Sequence, residues 1–138
     1  MIEKYIIKNK GFHPFIIRDG WQVALLNYIG DQHIDNIKKI DVHFETDEIF
    51  ILINGEAVLI SAAIENDNVE FRTELMKQGI VYNIPKNVWH NVAMREGSEI
   101  LIVEKSNTHL GDYEFYYLTK EQISQLRNIV NGSFDEKN

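Results

Sequence analysis

Residues 39–59, KIDVHFETDEIFILINGEAVL, decide the fold. After Lys39 the stretch carries the ionisable side chains Asp41, His43, Glu45, Asp47 and Glu48. It then becomes a β-rich run, residues 49–53, too apolar to be washed by solvent on both faces. The run ends in Asn54-Gly55, a dipeptide that accepts positive φ and is the strongest short-range hairpin signal. Residues 49–53 and 56–62 are therefore expected to pair across it. An imidazole and a carboxylate, His43 and Glu48, enter a body that must be buried. Desolvated ionisable groups need a partner, and a metal ion is one such partner.

Working outward, short apolar runs separated by turn residues recur at the spacing of a β-sandwich or barrel. Residues 1–10 read as a leading strand, 11–14 as a turn-like joint, and 15–18 as a strand closed by Asp19-Gly20. Residues 21–29 are a strand between turn signals, 30–36 a polar loop carrying His33, and 37–43 an alternating strand. After a solvated turn at 65–68 come strands at 69–75, 80–84, 88–94, 99–104 and 113–118. Nine or ten strands are expected in all. The tail differs: Thr119 and Gln122 have the form of a capping box, and Ile123, Leu126, Ile129 and Val130 recur at helical spacing. Gly132 is the expected stop, with residues 134–138 frayed beyond it. The fold class expected from this spacing is all-β, a sandwich or barrel with one C-terminal helix.

Composition limits the function. A chain of 138 residues suits one domain and buries about two thirds of its unfolded surface. There is no cysteine, hence no disulfide, thiolate nucleophile or thiolate metal site. Fourteen basic against 21 acidic residues leave a formal charge of −7, which argues against nucleic acid or an anionic membrane as partner. The first ten residues are broken by charges and no apolar run approaches membrane-span length, so a soluble, cytoplasmic protein is expected.

Strand parity says which ionisable side chains can meet. Asp41, His43 and Glu45 share one parity, and the acidic corner at 45–47 lets Glu48 rejoin the same side. In GIVYNIPKNVWHNVAM, residues 79–94, His90, Val92 and Met94 share one face while Trp89 and Asn91 share the other. If His90 faces inward, it completes a His-His-carboxylate set.

These two blocks resemble the motifs of the cupins, the double-stranded β-helix family, and so imply an all-β cupin-type jelly-roll barrel with one C-terminal α-helix. The first family motif is His-x-His, three or four residues, Glu, six residues, Gly. Here it reads Asp41-x-His43, four residues, Glu48, six residues, Gly55. The second is Gly, five residues, Pro-x-Gly, two residues, His, three residues, Asn. Here it reads Gly79, five residues, Pro85-x-Asn87, two residues, His90, three residues, Met94. The resemblance implies a single cupin domain over residues 1–138, with motif 1 at about 41–55, motif 2 at about 79–94 and the helix at about 119–131. It places His43, Glu48 and His90 on three of four metal-ligand positions, with Asp41 where the first histidine belongs. Asp41 then either binds through oxygen, stays out and leaves a facial triad suited to Fe(II), or marks a site that has lost its metal. Asn87 stands at a turn glycine, a substitution that Asn tolerates.

Blander readings stand beside these. His43 and Glu48 alone would make a surface pair worth under about 1 kcal/mol. His13 and His33 read as solvated, and His109, in a loop between late strands, reads first as a surface residue and second as one overhanging a barrel mouth. Tyr113, Phe115, Tyr116 and Tyr117 read as core and sheet face, Trp89 as packing, Trp21 as core or interface, and Glu45 and Asp47 as a solvated corner.

Three functional readings follow. The first is a metal-dependent isomerase or oxygenase acting on a small polar metabolite, the divalent ion being Fe, Mn, Ni or Zn. Its catalytic residues are unassigned, and Glu48 is a candidate base if no metal is bound. The second is a non-catalytic small-ligand module with a degenerate metal site, favoured by Asp41. The third is a structural homodimer with a satisfied polar core, paired through sheet faces or exchanged N-terminal strands, as the family resemblance implies. A fused DNA-binding regulator is disfavoured, because the length leaves no room for a second domain.

Overall fold

The computed structural model describes residues 1–136. Ten strands form two antiparallel five-stranded sheets. The first sheet runs β1 (Gly11–Arg18), β2 (Trp21–Asn27), β9 (Glu99–Glu104), β4 (Glu48–Asn54), β7 (Val81–Ile84). The second runs β10 (Glu114–Tyr117), β3 (Lys39–Val42), β8 (Trp89–Met94), β5 (Ala57–Glu65), β6 (Asn68–Leu75). This is the jelly roll that the family resemblance implies, within the sandwich-or-barrel class that the spacing of turn signals points to. The period-two patterns decide the faces. Ala24 and Leu26, Phe50 and Leu52, Val92 and Met94, and Ile100 and Ile102 point between the sheets and fill the barrel.

The second sheet is buried on its outer face as well. Val58, Ile60 and Ala93 face outward under helix α2 (Lys120–Asp135) and meet Leu126, Val130 and Phe134. The Thr119–Gln122 capping box is formed in both directions. The helix does not stop at Gly132 and the end does not fray at Phe134. A helical glycine costs about 1 kcal/mol relative to alanine. Burying Phe134 to 2% exposure, with the Arg95 guanidinium 4.0 Å over its ring, outweighs that at roughly 1.5–3 kcal/mol. Residues 137 and 138 lie outside the described residues.

The expected Asn54-Gly55 hairpin is not formed. Strand β4 pairs with β7 and β9, β5 pairs with β6 and β8, and the dipeptide carries the chain from one sheet to the other. A turn dipeptide specifies a change of direction, whereas burial decides which strand lies alongside. The tight hairpin is instead β5–β6, whose turn places Asn66 and Asp67 at φ of 52° and 63°, as a type I′ turn requires.

Two further expectations are corrected. Residues 1–10 form no strand, and the supposed joint at 11–14 is the first half of β1. Pro14 is accommodated because β1 is an edge strand with a register slip between Pro14 and Ile16. The polar loops are also partly ordered as helix. Residues 30–36 fold as two 3-10 turns that bury Ile34, and 106–112 contain the short α1 (Thr108–Gly111). Among the described residues no helix is long and apolar enough to cross a membrane.

Candidate metal centre

Cross-strand register builds the site from two facing rows. In the first sheet Gln22, Glu104 and Glu48 are neighbours across β2, β9 and β4. In the second sheet Asp41 and His90 are neighbours across β3 and β8. His43 follows β3 directly, and its carbonyl accepts the Asn87 N–H at 2.8 Å. Asn87 adopts φ +69°, so it does replace the turn glycine of the second motif and thereby fixes His90 near His43.

The four residues singled out in the sequence come together. His90 Nε2 lies 2.8 Å and His43 Nε2 3.3 Å from Glu48 Oε1. Asp41 Oδ2 is 3.6 Å from His43 Nε2 and 3.8 Å from His90 Nε2. His43, Glu48 and His90 are buried, and the Asp41 side chain is 27% exposed.

The far side of each ring decides what the near side needs. His43 Nδ1 is 2.7 Å from the Asp112 carbonyl and His90 Nδ1 is 2.9 Å from the Val88 carbonyl. A carbonyl only accepts, so each Nδ1 carries the proton and donates it. A neutral ring then presents a bare Nε2 lone pair to a carboxylate oxygen. Two lone pairs repel, so a cation must lie between them: a second proton on each ring, or one metal ion.

Without metal the protons do this. Burial works against a charged His43, but the hydrogen bond and charge of Glu48, the Asp112 carbonyl and Asp41 push its pKa up to about 9. His90 is raised by Glu48 and Asp41 against its own burial. Burial pushes Glu48 upward, yet both imidazoles hold it down to about 2. Asp41 is raised, by burial first and then by the charge of Glu48.

Sequence reasoning missed three members of the cluster. Glu104 is buried on β9, where its pKa is pushed up to about 8 by burial and by the Glu48 charge. Asp112 supplies the carbonyl to His43, and its carboxylate accepts the N–H groups of Phe44 and Glu45 at 2.9 and 3.0 Å. Gln22, wholly buried, donates to Glu104 at 3.0 Å. His109 takes the barrel-mouth place that was the second reading of its loop, and the pair Tyr113–Phe115 is not the core and sheet face that its strand position suggested. With Phe12 they line a cavity of about 280 Å³ that also touches Asp41, His43, Glu48 and Glu104. A second cavity, about 160 Å³, continues into the apolar barrel past Leu26, Phe50 and Ile102. A larger groove of about 540 Å³ bounded by Glu70, Arg72 and Trp89 holds none of these groups.

The shifts give a pH dependence for the metal-free chain. His43 is raised from 6.5 to about 9, so its contribution is complete below pH 6.5 and lost as pH rises through 9. Glu104, raised from 4.5 to about 8, also loses stability upward, as its buried carboxyl ionises. Glu48, lowered from 4.5 to about 2, is fully ionised across this window and adds no slope. Calorimetry with a chelator present is expected to show Tm falling between pH 6.5 and 9; a flat profile would contradict these protonation states.

Comparison with known proteins rests on the fold. No protein-family model matches the sequence, and no curated protein matches it. A variant of PAC13 from Streptomyces, solved with uridine, superposes at a TM-score of 0.55 with 10% identity, over 87% of this chain and 96% of that one. A 3,4-ketoisomerase, QdtA from Thermoanaerobacterium thermosaccharolyticum in complex with TDP, gives 0.49 at 18% identity, over 83% and 75%. A cupin-2 domain protein from Shewanella frigidimarina gives 0.47 at 18% identity, over 74% and 85%. At these identities the likeness is one of fold.

Proposed function

We propose that this chain, which has the cupin fold, is a mononuclear divalent-metal protein that acts on a small polar metabolite at the mouth of its barrel. The observation that carries the reading is the pair of imidazoles whose Nδ1 protons are spent on the carbonyls of Asp112 and Val88. Their Nε2 atoms converge on the Glu48 carboxylate, with Asp41 beside them. This is how protein carbonyls orient metal-binding histidines from behind. The donors fit: imidazole nitrogen and carboxylate oxygen suit Fe, Mn, Ni or Zn, and no thiolate competes. His43, Glu48, His90 and Asp41 would hold the ion.

When bound, the ion supplies Lewis-acid polarisation for an isomerase or, if iron, activation of oxygen for an oxygenase. The chain's own groups do the rest. Phe12, Tyr113 and Phe115 give the open 280 Å³ cavity an apolar wall on one side, and its size suits a small molecule. Gln22 donates to His109 Nδ1 at 3.2 Å, so His109 carries its proton on Nε2 and offers the cavity a hydrogen-bond donor.

The reading includes a cytoplasmic homodimer. Its support is the outer face of the first sheet, where Val23, Val103 and Ile49 form one lateral row and Leu25, Leu101, Ile51 and Val81 another. None of these seven is buried, and contiguous apolar patches of this kind mark interfaces. The non-catalytic ligand module is the second reading, because Asp41 takes the place of a motif histidine. Sedimentation combined with elemental analysis on untagged protein tests both readings. A species of about twice 16.1 kDa with one ion per chain is expected. A well-folded, metal-free protein would favour the module, and a species at 16.1 kDa would remove the dimer.

A further inference from the structure

Glu104 belongs to neither motif, yet it faces the centre from the opposite sheet to Asp41. Its two oxygens have different surroundings. Oε2 accepts the Gln22 amide at 3.0 Å; Oε1, in a residue only 6% exposed, meets no donor among the described residues, and the Glu48 carboxyl is the neighbouring group. Gln22 cannot turn its amide over. Its Oε1 accepts the Asn107 backbone N–H at 2.8 Å, and a backbone nitrogen only donates. The Gln22 Nε2 is thus committed to Glu104 and, with its other proton, to His109. One carboxylate oxygen is anchored and the other is not. Glu104, His43 and Glu48 each place a ligating atom within 4.8 Å of the others. Two buried carboxyl groups side by side need a cation between them, either a shared proton or a metal ion.

We infer that Glu104 is a further ligand of the metal centre and that Gln22 is the positioning residue that aims it. The inference rests on the metal reading above and extends it to a residue outside both motifs. The motif position held by Asp41 leaves the site one nitrogen short. Asp41 already supplies oxygen at that position, and Glu104 adds a further oxygen donor from the other wall. The resulting set of two imidazoles and several carboxylates is harder than a histidine-rich one and shifts preference toward Mn(II) and Fe(II).

Cobalt(II) titration of the metal-free protein, followed by its visible absorption, tests this. Glu104→Gln keeps the shape and the Gln22 contact but weakens the donor. It is expected to lower cobalt affinity roughly tenfold or more and to change the intensity and position of the cobalt bands. Gln22→Leu, which frees Glu104 from its anchor, is expected to weaken binding in the same direction by a smaller factor, and it serves if the first variant does not fold. Tight cobalt binding that both variants leave within twofold, with unchanged spectra, would overturn the assignment of Glu104. Weaker binding by Glu104→Gln with an unchanged spectrum would overturn it as well, because charge alone would then be acting. Failure of the unsubstituted protein to bind cobalt would instead overturn the metal reading, a different result.

Discussion

Replacing His90 by alanine is expected to abolish metal binding and to weaken the metal-free fold in the same variant. The ring is 3% exposed and its Nε2 makes the shortest polar contact to Glu48, 2.8 Å. If His90 is the ligand proposed above, affinity should drop well beyond the roughly 10–100-fold that a supporting residue is worth. Glu48, itself 6% exposed, would keep only His43 as a charge partner, at 3.3 Å. Breaking a buried ion pair from one side costs about 3–5 kcal/mol, because the remaining charge is stranded. Part of that loss should disappear at low pH, where Glu48 takes up a proton. Titration calorimetry and chelator-treated melts measure the two effects separately. A His90→Ala protein that binds metal within threefold of the original would remove His90 from the site.

The second large effect is expected at Gly55, which lies far from the metal cluster and concerns the fold alone. Gly55 has φ +82°, and a Cβ there would stand 2.6 Å from Ser98 Cα, 2.8 Å from its Cβ and 2.9 Å from its nitrogen. Backbone cannot swing aside as a side-chain end can. Ser98 is 1% exposed and held by hydrogen bonds from its N–H to Arg95 and to its carbonyl from Tyr28. Gly55→Ala therefore combines a left-handed penalty of about 1–2 kcal/mol with an overpacking penalty of about 1–3 kcal/mol. Gly79 is the internal control: it has nearly the same φ, +83°, but nothing within 4 Å of the added carbon. Gly79→Ala should cost the first penalty only. Urea unfolding of the two variants gives the difference, and equal losses would show that the Ser98 contact relaxes freely.

How much of this was legible in the sequence follows from what each signal encodes. Strand parity is local, so the shared face of His90, Val92 and Met94 and the opposite face of Trp89 are readable from spacing; which of the two is inward is not, and burial in the folded barrel decides it. The capping box at Thr119 and Gln122 is local too. The hairpin at Asn54-Gly55 failed because turn chemistry is local but strand pairing is not: β4 and β5 each pair better with partners from elsewhere in the chain. Gly132 misled for a related reason, since a helix stop is a weak preference and Phe134 had a core to reach. Glu104, Gln22 and Asp112 carried no usable signal. A glutamate at the end of a strand is ordinarily solvated, and only the register of β2, β9 and β4 brings Gln22 and Glu104 beside Glu48. Residue type at inward parity was the one available clue: Gln22 and Glu104 are polar residues on the same side as Ala24, Leu26, Ile100 and Ile102.

The central claim is that a cation, and in the working protein a metal ion, sits where the two Nε2 atoms meet the carboxylates. An anomalous-difference map, from crystals of the protein grown with Mn(II) or Fe(II) and measured at that metal's absorption edge, tests it most directly. The account predicts one strong peak within bonding distance of Nε2 of His43, Nε2 of His90 and a Glu48 oxygen. A map without a peak there, with the imidazoles still bonded directly to Glu48, would contradict it.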